Sequence, residues 1–422
     1  MVGKGGHRHG VGAACFTGHA PFPFPTERVF KIELKICHLI PYLGLSQGGP
    51  VYSLAALAES LLEKQCQVTV ASMPRKEDGP QISLSPGIEL AVNKKSFAGS
   101  FRWAPGLVSR LQNGNFSVVH SHGLWTYASM AGASLARRLS IPHLLAPCGM
   151  LQPKALRISN FKKKLAGLVF QNSVLENAHC LHAKSEAEYQ SFREYGLTNP
   201  IAIIPNPLPV APMILEAEIT RFRKKHQIPD GEKQLLFLGR LHPVKGLERL
   251  LMAWSELGAA CHGWGLLLAG PDEGGYRSHV EMMSIELKLG PSVRFTGPLS
   301  NQEKWVAFGA SSLFIMPSDF ENFGSAVAEA LLAGVPVITT TGTPWKIISE
   351  QGCGWYVEAN VPAVRAALLQ AIGATDVALA AMGKVGVQIA REYSTENVTE
   401  RVIGVYHWLL GQHPQPNCVV ND

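Results

Sequence analysis

The stretch Leu235-Leu236-Phe237-Leu238-Gly239-Arg240-Leu241-His242-Pro243-Val244-Lys245-Gly246 reads as a strand, a close turn and the start of a helix. Leu235–Leu238 is wholly apolar, as a strand buried on both faces must be. Gly239 lets the chain turn tightly, Arg240 leaves the strand end, and Lys245 stands where a helix near Gly246–Leu257 begins. The same unit repeats outward. Further strands are expected at Leu266–Ala269, Val293–Thr296, Leu313–Met316, Val335–Thr339 and Trp355–Val357. Helical patterns separate or follow them near Tyr276–Leu289, Asn301–Phe308, Gly324–Ala333, Val361–Ile372, Val377–Glu392 and Glu396–Leu410. Toward the N-terminus, strands are expected at Leu34–Ile40, Gln67–Ser72, Phe116–His120, His143–Ala146, Cys180–Ala183 and Ala202–Pro205, with helices at Gly48–Lys64, Tyr127–Leu139 and Phe161–Asn177. Buried strands alternating with helices imply βαβ units and parallel sheets. Pro205-Asn206-Pro207-Leu208-Pro209 can continue neither a helix nor a central strand, and we place the linker there, ahead of a charged helix Glu216–Lys225. The sequence therefore encodes two doubly wound α/β domains in tandem, whose ligands belong off the carboxyl ends of the strands.

A length of 422 residues fits two domains, and 46% apolar with 17% charged residues excludes a mainly disordered or fibrous chain. The sequence holds no run of about 18 apolar residues, so no membrane-spanning helix is expected. The net charge of +6 is lopsided: residues 1–205 carry 21 Lys/Arg against 11 Asp/Glu, and residues 206–422 carry 17 against 21. A basic half suits nucleic acid, anionic lipid or a phosphorylated substrate, and charge alone does not choose among them. The eight cysteines form no CxxC pair, and Met1–Pro25 has no apolar signal core, so a cytoplasmic protein is expected. Residues 1–32, with His7, His9 and His19, read as an unstructured tail.

Chemistry concentrates in two places in the C-terminal half. Arg240, Lys245 and a helix N-terminus together suit a diphosphate, against the alternative of a solvated charged turn. The second place is Met316-Pro317-Ser318-Asp319-Phe320-Glu321-Asn322-Phe323-Gly324-Ser325-Ala326-Val327-Ala328-Glu329-Ala330. A strand ends at Pro317, a helix opens near Gly324, and the backbone N–H groups of Asn322–Ser325 face the cleft. Glu329 lies among Ala, Leu and Val and needs a partner, either a ligand diol or a neighbouring cation.

The N-terminal half offers three more candidates. Gln47-Gly48-Gly49-Pro50 is a turn that opens a helix after the first strand. His120-Ser121-His122-Gly123 ends a strand with both rings on one face; no third ligand of useful spacing follows, so a metal is not expected. Between Gly149 and Leu175 stand Lys154, Arg157, Lys162, Lys163 and Lys164 with no acidic residue until Glu176. That run is either a solvated helix face or a membrane or acceptor-phosphate patch, which anionic headgroups would reward by ~1 kcal/mol per cation. No nucleic-acid motif accompanies it.

The spacing Glu321 to Glu329 resembles the Glu-x7-Glu motif of retaining glycosyltransferases of family 4, also called group 1. The words Phe237-Leu238-Gly239-Arg240, Leu268-Ala269-Gly270-Pro271, Val293-Arg294-Phe295-Thr296-Gly297, Ala333-Gly334-Val335-Pro336-Val337-Ile338, Gly342-Thr343-Pro344-Trp345 and Cys353-Gly354-Trp355 are similar to the same family, over roughly Leu34 to Gly411. The resemblance implies a GT-B fold, two Rossmann-like domains facing across a cleft. It implies an acceptor-side domain 33–206, a nucleotide-sugar domain 207–395 and a C-terminal helix near 396–411 returning to the first. It implies that Arg240 and Lys245 hold the donor diphosphate beside Gly239, and that Glu329 holds the ribose. Glu321, Asn322, Phe323 and Gly324 would hold the transferred sugar. Gly48 and Gly49 would face the donor phosphates and acceptor, and His122 would stand near the donor sugar, with His120 a packed core residue.

The expected reaction is retaining transfer from a nucleotide diphosphate sugar to an acceptor hydroxyl, without cofactor or nucleic-acid partner. The sequence holds no Asp-x-Asp, which favours metal independence. His122-Gly123-Leu124-Trp125 and Tyr406-His407-Trp408-Leu409-Leu410-Gly411 are similar to bacterial transferases of lipopolysaccharide or exopolysaccharide assembly. That implies a lipid-linked or polysaccharide acceptor and a place on the inner face of the cell membrane. A sucrose- or trehalose-type synthase, a sugar-nucleotide epimerase of the same fold and a silent sugar-binding protein stay open. Pro205-Asn206-Pro207 departs from the family's Pro-Asn-Gly hinge.

Overall fold

The computed structural model describes residues 33–421 apart from 45–48, 76–77, 94–95, 98, 158–162 and 164–165. The expected tail therefore lies outside the described residues. Two sheets organise the rest.

The first sheet contains β1 (Lys35–Ile40), β2 (Gln67–Ser72), β3 (Glu89–Val92), β4 (Val118–His122), β5 (His143–Ala146), β6 (Cys180–Ala183) and β7 (Ile201–Ile203). The second contains β8 (Lys233–Leu238), β9 (Trp264–Ala269), β10 (Val293–Gly297), β11 (Leu313–Met316), β12 (Val337–Thr340) and β13 (Gly354–Val357). A short β14 (Val419–Val420) returns to pair antiparallel with β7 in the first sheet. The orders are β14-β7-β6-β5-β4-β1-β2-β3 and β10-β9-β8-β11-β12-β13. Apart from β14, every pairing between these strands is parallel. Both sheets therefore reverse direction beside their first strand, between β1 and β4 and between β8 and β11. A doubly wound sheet opens its ligand crevice at such a point.

The expected strands are present within a few residues of their ends. The fourth is shifted: it runs Val118–His122 rather than Phe116–His120, so both histidines lie inside it. β3 and β14 were not expected: their apolar runs, Leu90–Val92 and Cys418–Val420, are only three residues long, and β3 is an exposed edge. The stretch expected as one helix over Phe161–Asn177 is described from Gly167 as a π-helical turn to Gln171 followed by an α-helix Asn172–Glu176.

Each sheet has its own apolar core. β8, β9 and β11 pack with Trp254, Phe308, Leu331 and Leu368 in the second half. In the first half, the last long helix, Thr395–Leu409, lays Val398, Val402, Val405 and Tyr406 against the helix Gly49–Glu63 and the strands beneath. Lys64 closes that contact with ion pairs to Glu396 at 3.1 Å and Glu400 at 2.9 Å. The chain thus crosses between halves twice, and the crossings lie side by side. Leu208 N–H donates to Tyr393 O at 2.8 Å, and Thr395 N–H donates to Leu208 O at 3.1 Å. Among the described residues, no single helix is long and apolar enough to cross a membrane.

Candidate functional site

The turn after β8 and the loop after β11 meet at the second switch point. Asp319 N–H donates to Val244 O at 2.8 Å, and Arg249 donates to Pro317 O at 2.7 Å. Gly246 has φ +68°, and a Cβ there would stand 2.2 Å from Pro317 O, so only glycine lets the two backbones come this close. Lys245 Nζ then reaches Glu321 Oε1 at 2.5 Å, and Ser318 Oγ donates to the same oxygen at 2.7 Å. Both charged side chains are only about an eighth exposed, 12% and 13%.

The word Gly342-Thr343-Pro344-Trp345 builds the other wall of this loop. Glu321 N–H donates to Gly342 O at 2.8 Å. A Cβ on Gly342 would stand 2.3 Å from Ser318 O. Trp345 Nε1–H donates to Phe323 O at 2.5 Å, and its ring packs against Phe323 and Tyr393. Gly324, at φ +78°, then starts the helix Ser325–Leu332.

Two expected residues have partners elsewhere. Arg240 turns outward to Glu273, with both side chains 44% exposed. Glu329 pairs with Lys304 at 2.6 Å, so the neighbouring cation, rather than a diol, satisfies it here. Burial pushes the Glu329 carboxyl up, and Lys304 opposes the shift. Gly239 lies beside the pair at the turn, where an added Cβ would stand 3.9 Å from Lys245 Cε.

The N-terminal half meets this loop at Asn322. A Cβ on Gly149 would stand 3.0 Å from the Asn322 side chain. Gln152 Nε2 donates to Asn322 Oδ1 at 3.3 Å, and Ser185 Oγ donates to Asn322 O at 3.1 Å. Gly49 faces the helix start: its added Cβ would stand 3.9 Å from Ser325 Oγ. Gly48, Lys162 and Lys164 lie outside the described residues, as does the side chain of Lys154. Lys163 donates to Ala155 O at 2.5 Å, and burial lowers its ammonium.

His122 is not alone. Parallel pairing of β1 with β4 sets His38 beside His120. His38 Nδ1 lies 3.0 Å from His122 Nε2, His120 Nε2 lies 3.2 Å from His182 Nδ1, and His120 Nδ1 lies 2.8 Å from the Tyr406 hydroxyl. The ligand atoms of His38, His120 and His122 fall within 4.8 Å of one another. The sheet thus supplies a third imidazole that sequence spacing did not show. These rings bond mainly to each other and to Tyr406, and burial holds all four imidazoles far below their ordinary range, so they are neutral.

Lys184 and Glu188 went unread. Ser185-Glu186-Ala187-Glu188 looks like a capping box, and Ser185 Oγ does accept from Glu188 N–H at 3.2 Å. The Glu188 carboxylate goes elsewhere: it accepts Gly149 N–H at 2.5 Å and Lys184 N–H at 2.7 Å. It therefore fixes the Gly149 turn that meets Asn322. The usable signal was a lysine following the apolar strand Cys180–Ala183 where a carboxyl end was already expected.

Two Rossmann-type halves with facing switch points, one bearing a lysine–glutamate pair and a helix start, define a two-domain transferase of the GT-B type. Residues 218–375 match the family model described as glycosyl transferases group 1, and residues 48–207 match that of a glycosyl transferase 4-like domain. The chain belongs to the group 1 glycosyltransferases, enzymes that transfer a sugar from a nucleotide-sugar donor. A D-inositol 3-phosphate glycosyltransferase of a Nocardioides species is 26% identical over 312 residues, 69% of this chain and 67% of the relative. The structure of a sucrose-phosphate synthase from Thermosynechococcus elongatus superposes with TM-score 0.74 at 20% identity, covering 90% of this chain and 100% of that one. The Anabaena protein HepE, solved in complex with UDP-glucose, gives TM-score 0.68 at 17% identity, covering 88% and 99%.

Proposed function

We propose that this enzyme transfers a hexose with retention of anomeric configuration, without a metal, from a nucleoside diphosphate sugar to an acceptor in cell-surface polysaccharide or lipopolysaccharide assembly. The observation that carries the reading is the Lys245–Glu321 pair, held by Ser318 beside the start of helix Ser325–Leu332 at a switch point. A donor diphosphate entering there takes Lys245 and draws Arg240 away from exposed Glu273. Two cations and the helix N–H groups then stabilise the departing phosphate, the work a divalent ion does elsewhere. Glu321, relieved of Lys245, accepts hydroxyl hydrogen bonds from the sugar, and Glu329 accepts those of the ribose. Double displacement needs a carboxylate nucleophile at the anomeric carbon. Glu321 is assigned to positioning, so the acceptor attacks on the face the phosphate leaves, and that phosphate takes its proton. His122 borders the sugar as a neutral imidazole.

The acceptor docks on the basic first half. The words His122–Trp125 and Tyr406–Gly411 and the cations from Lys154 to Lys164 support a glycolipid or polysaccharide at an anionic inner membrane surface. A second reading, a soluble phosphorylated polyol acceptor, is favoured by the names of the Nocardioides relative and the Thermosynechococcus structure.

The test is turnover of UDP-glucose with a lipid-linked saccharide and with D-inositol 3-phosphate, in EDTA, with product configuration read by proton coupling constants. Retained configuration and undiminished turnover in EDTA are expected. An inverted product, or loss of activity restored by a divalent ion, defeats the mechanism. Preference for the inositol phosphate selects the second reading.

A further inference from the structure

Lys184 stands in the wall of the cleft with no described function. It is 6% exposed, and it lines a cavity of about 20 Å³ with Pro50, Ser53, His122, Cys148, Asn206 and Asn322. Among the described residues no carboxylate lies within ion-pair distance of its ammonium. Among the described residues its ammonium has hydrogen-bond-range contacts only with the ring of His182, at 3.0 Å to Nε2 and 3.5 Å to Nδ1.

Proton accounting removes the shorter contact. His182 Nε2 lies 2.9 Å from Ile204 O, a pure acceptor, so Nε2 carries the hydrogen. His182 Nδ1 is then the acceptor, and His120 Nε2–H donates to it, leaving His120 Nδ1 to accept the Tyr406 hydroxyl. This tautomer set, assigned from the network, satisfies the contacts of the two rings with each other, with Ile204 O and with Tyr406, but not the contact of Lys184 with Nε2. It leaves Lys184 with three hydrogens and one long, shared acceptor. Across the cavity, Asn206 Oδ1 already accepts from Ser53 Oγ at 2.9 Å, and the Asn206 NH₂ remains to donate to an anion. The cavity therefore sets a buried cation with one long, shared acceptor beside an amide donor, an arrangement that an arriving anion relieves.

We propose that Lys184 anchors an anion subsite on the N-terminal wall of the cleft, taking a phosphate oxygen of a bound substrate together with the Asn206 amide. The volume admits about one water-sized group, which matches one oxygen and not a whole nucleotide. The oxygen comes either from the donor diphosphate or from a phosphate on the acceptor. Burial lowers the Lys184 ammonium, so anion binding brings proton uptake. The inference rests on the donor cleft proposed above.

Calorimetry on the full chain tests it with two probes, UDP alone and inorganic phosphate in saturating UDP. Lys184→Met should weaken one probe at least tenfold and abolish the buffer-dependent part of its binding enthalpy, while Lys184→Arg retains most of the affinity. Loss confined to UDP assigns the oxygen to the donor; loss confined to phosphate assigns it to the acceptor. Both probes within twofold of wild type on Lys184→Met overturn the subsite. Arg240→Ala keeps the two proposals apart. If it weakens UDP while Lys184→Met changes neither probe, the donor cleft stands and the subsite falls. If it leaves UDP unchanged while Lys184→Met weakens a probe, the subsite stands and the donor assignment falls. Should Lys184→Met not fold, acylation of Lys184 in the wild type, followed by peptide mapping, replaces it: protection by either probe supports the subsite, and protection by neither overturns it.

Discussion

Arg240 and Lys245 are asked to hold the same diphosphate from different starting points. Arg240 lies in an exposed pair, where ion pairing is worth ~0–1 kcal/mol, whereas Lys245 is nearly buried against Glu321. Arg240→Ala should therefore cut kcat by roughly 10²–10³ while changing stability within ~0.5 kcal/mol. A kcat near wild type removes Arg240 from the phosphate site. Lys245→Ala should lose as much activity and also destabilise, since Glu321 keeps a charge that Ser318 alone cannot satisfy. Glu329 makes a sharper case. If it binds the ribose, Glu329→Gln raises the donor Kd by an amount set by one charge-assisted hydrogen bond, ~1.5–3 kcal/mol, or roughly 10–150-fold. Lys304→Met should instead cost stability, ~3 kcal/mol for stranding a buried carboxylate. An unchanged donor Kd in Glu329→Gln, read by calorimetry, would leave it a structural ion pair. At this scale the sequence shows which residue types carry charge into apolar surroundings. It does not show Lys304 or Glu273, because those partners arrive through folding from 25 and 33 positions away.

At the scale of elements, the site is two loops held in register by glycines. Gly246 lets the turn after β8 pass under Pro317, and Gly342 lets the turn after β12 lie on Ser318. Gly246→Ala forces a left-handed residue and a 2.2 Å contact with a backbone oxygen that has nowhere to go. We expect a loss of ~2–4 kcal/mol in denaturant titration, with donor affinity falling as Lys245 is displaced. Stability within 0.5 kcal/mol of wild type would mean that the loops are not locked together. The strand–turn–helix words were legible because buried parallel strands must be continuous apolar runs. The edge strand β3 was not, since its residues Glu89–Val92 are at least partly exposed and its apolar run is only Leu90–Val92. Nor was the Glu188–Gly149 bond, where a local capping pattern predicts one partner and the neighbouring loop provides another.

For the whole molecule, the sheet of the first half brings together residues that are isolated in sequence. His38, His120, His122, His143 and His182 come from four strands and are all buried, His38 and His143 with pKa values lowered to about 3. Sequence spacing exposes only the His120–His122 pair; the third and fourth rings follow from strand order, which no local pattern states. Their cost is global. Each is neutral in the fold and binds a proton near pH 6.5 once unfolded, so below about pH 6.5 the unfolded chain carries more protons, down to about pH 3 for His38 and His143. Stability then falls as pH falls, by ~1.4 kcal/mol per unit for each fully titrating histidine. Glu188 and Glu329, with raised pKa values, act in the opposite sense just above the ordinary carboxylate range, but they are two groups against five. The helix Thr395–Leu409 should share the effect, because Tyr406 donates into this cluster and the same helix closes the second crossing between halves. Unfolding free energy measured by denaturant at pH 7, 6 and 5 should therefore drop with a slope that steepens toward several kcal/mol per unit. Tyr406→Phe should lower stability at pH 7, by leaving His120 Nδ1 unpaired, without removing the slope. A free energy flat from pH 7 to 5 would mean that the rings are already charged in the fold. It would also remove the neutral imidazole assigned to His122 at the edge of the sugar site.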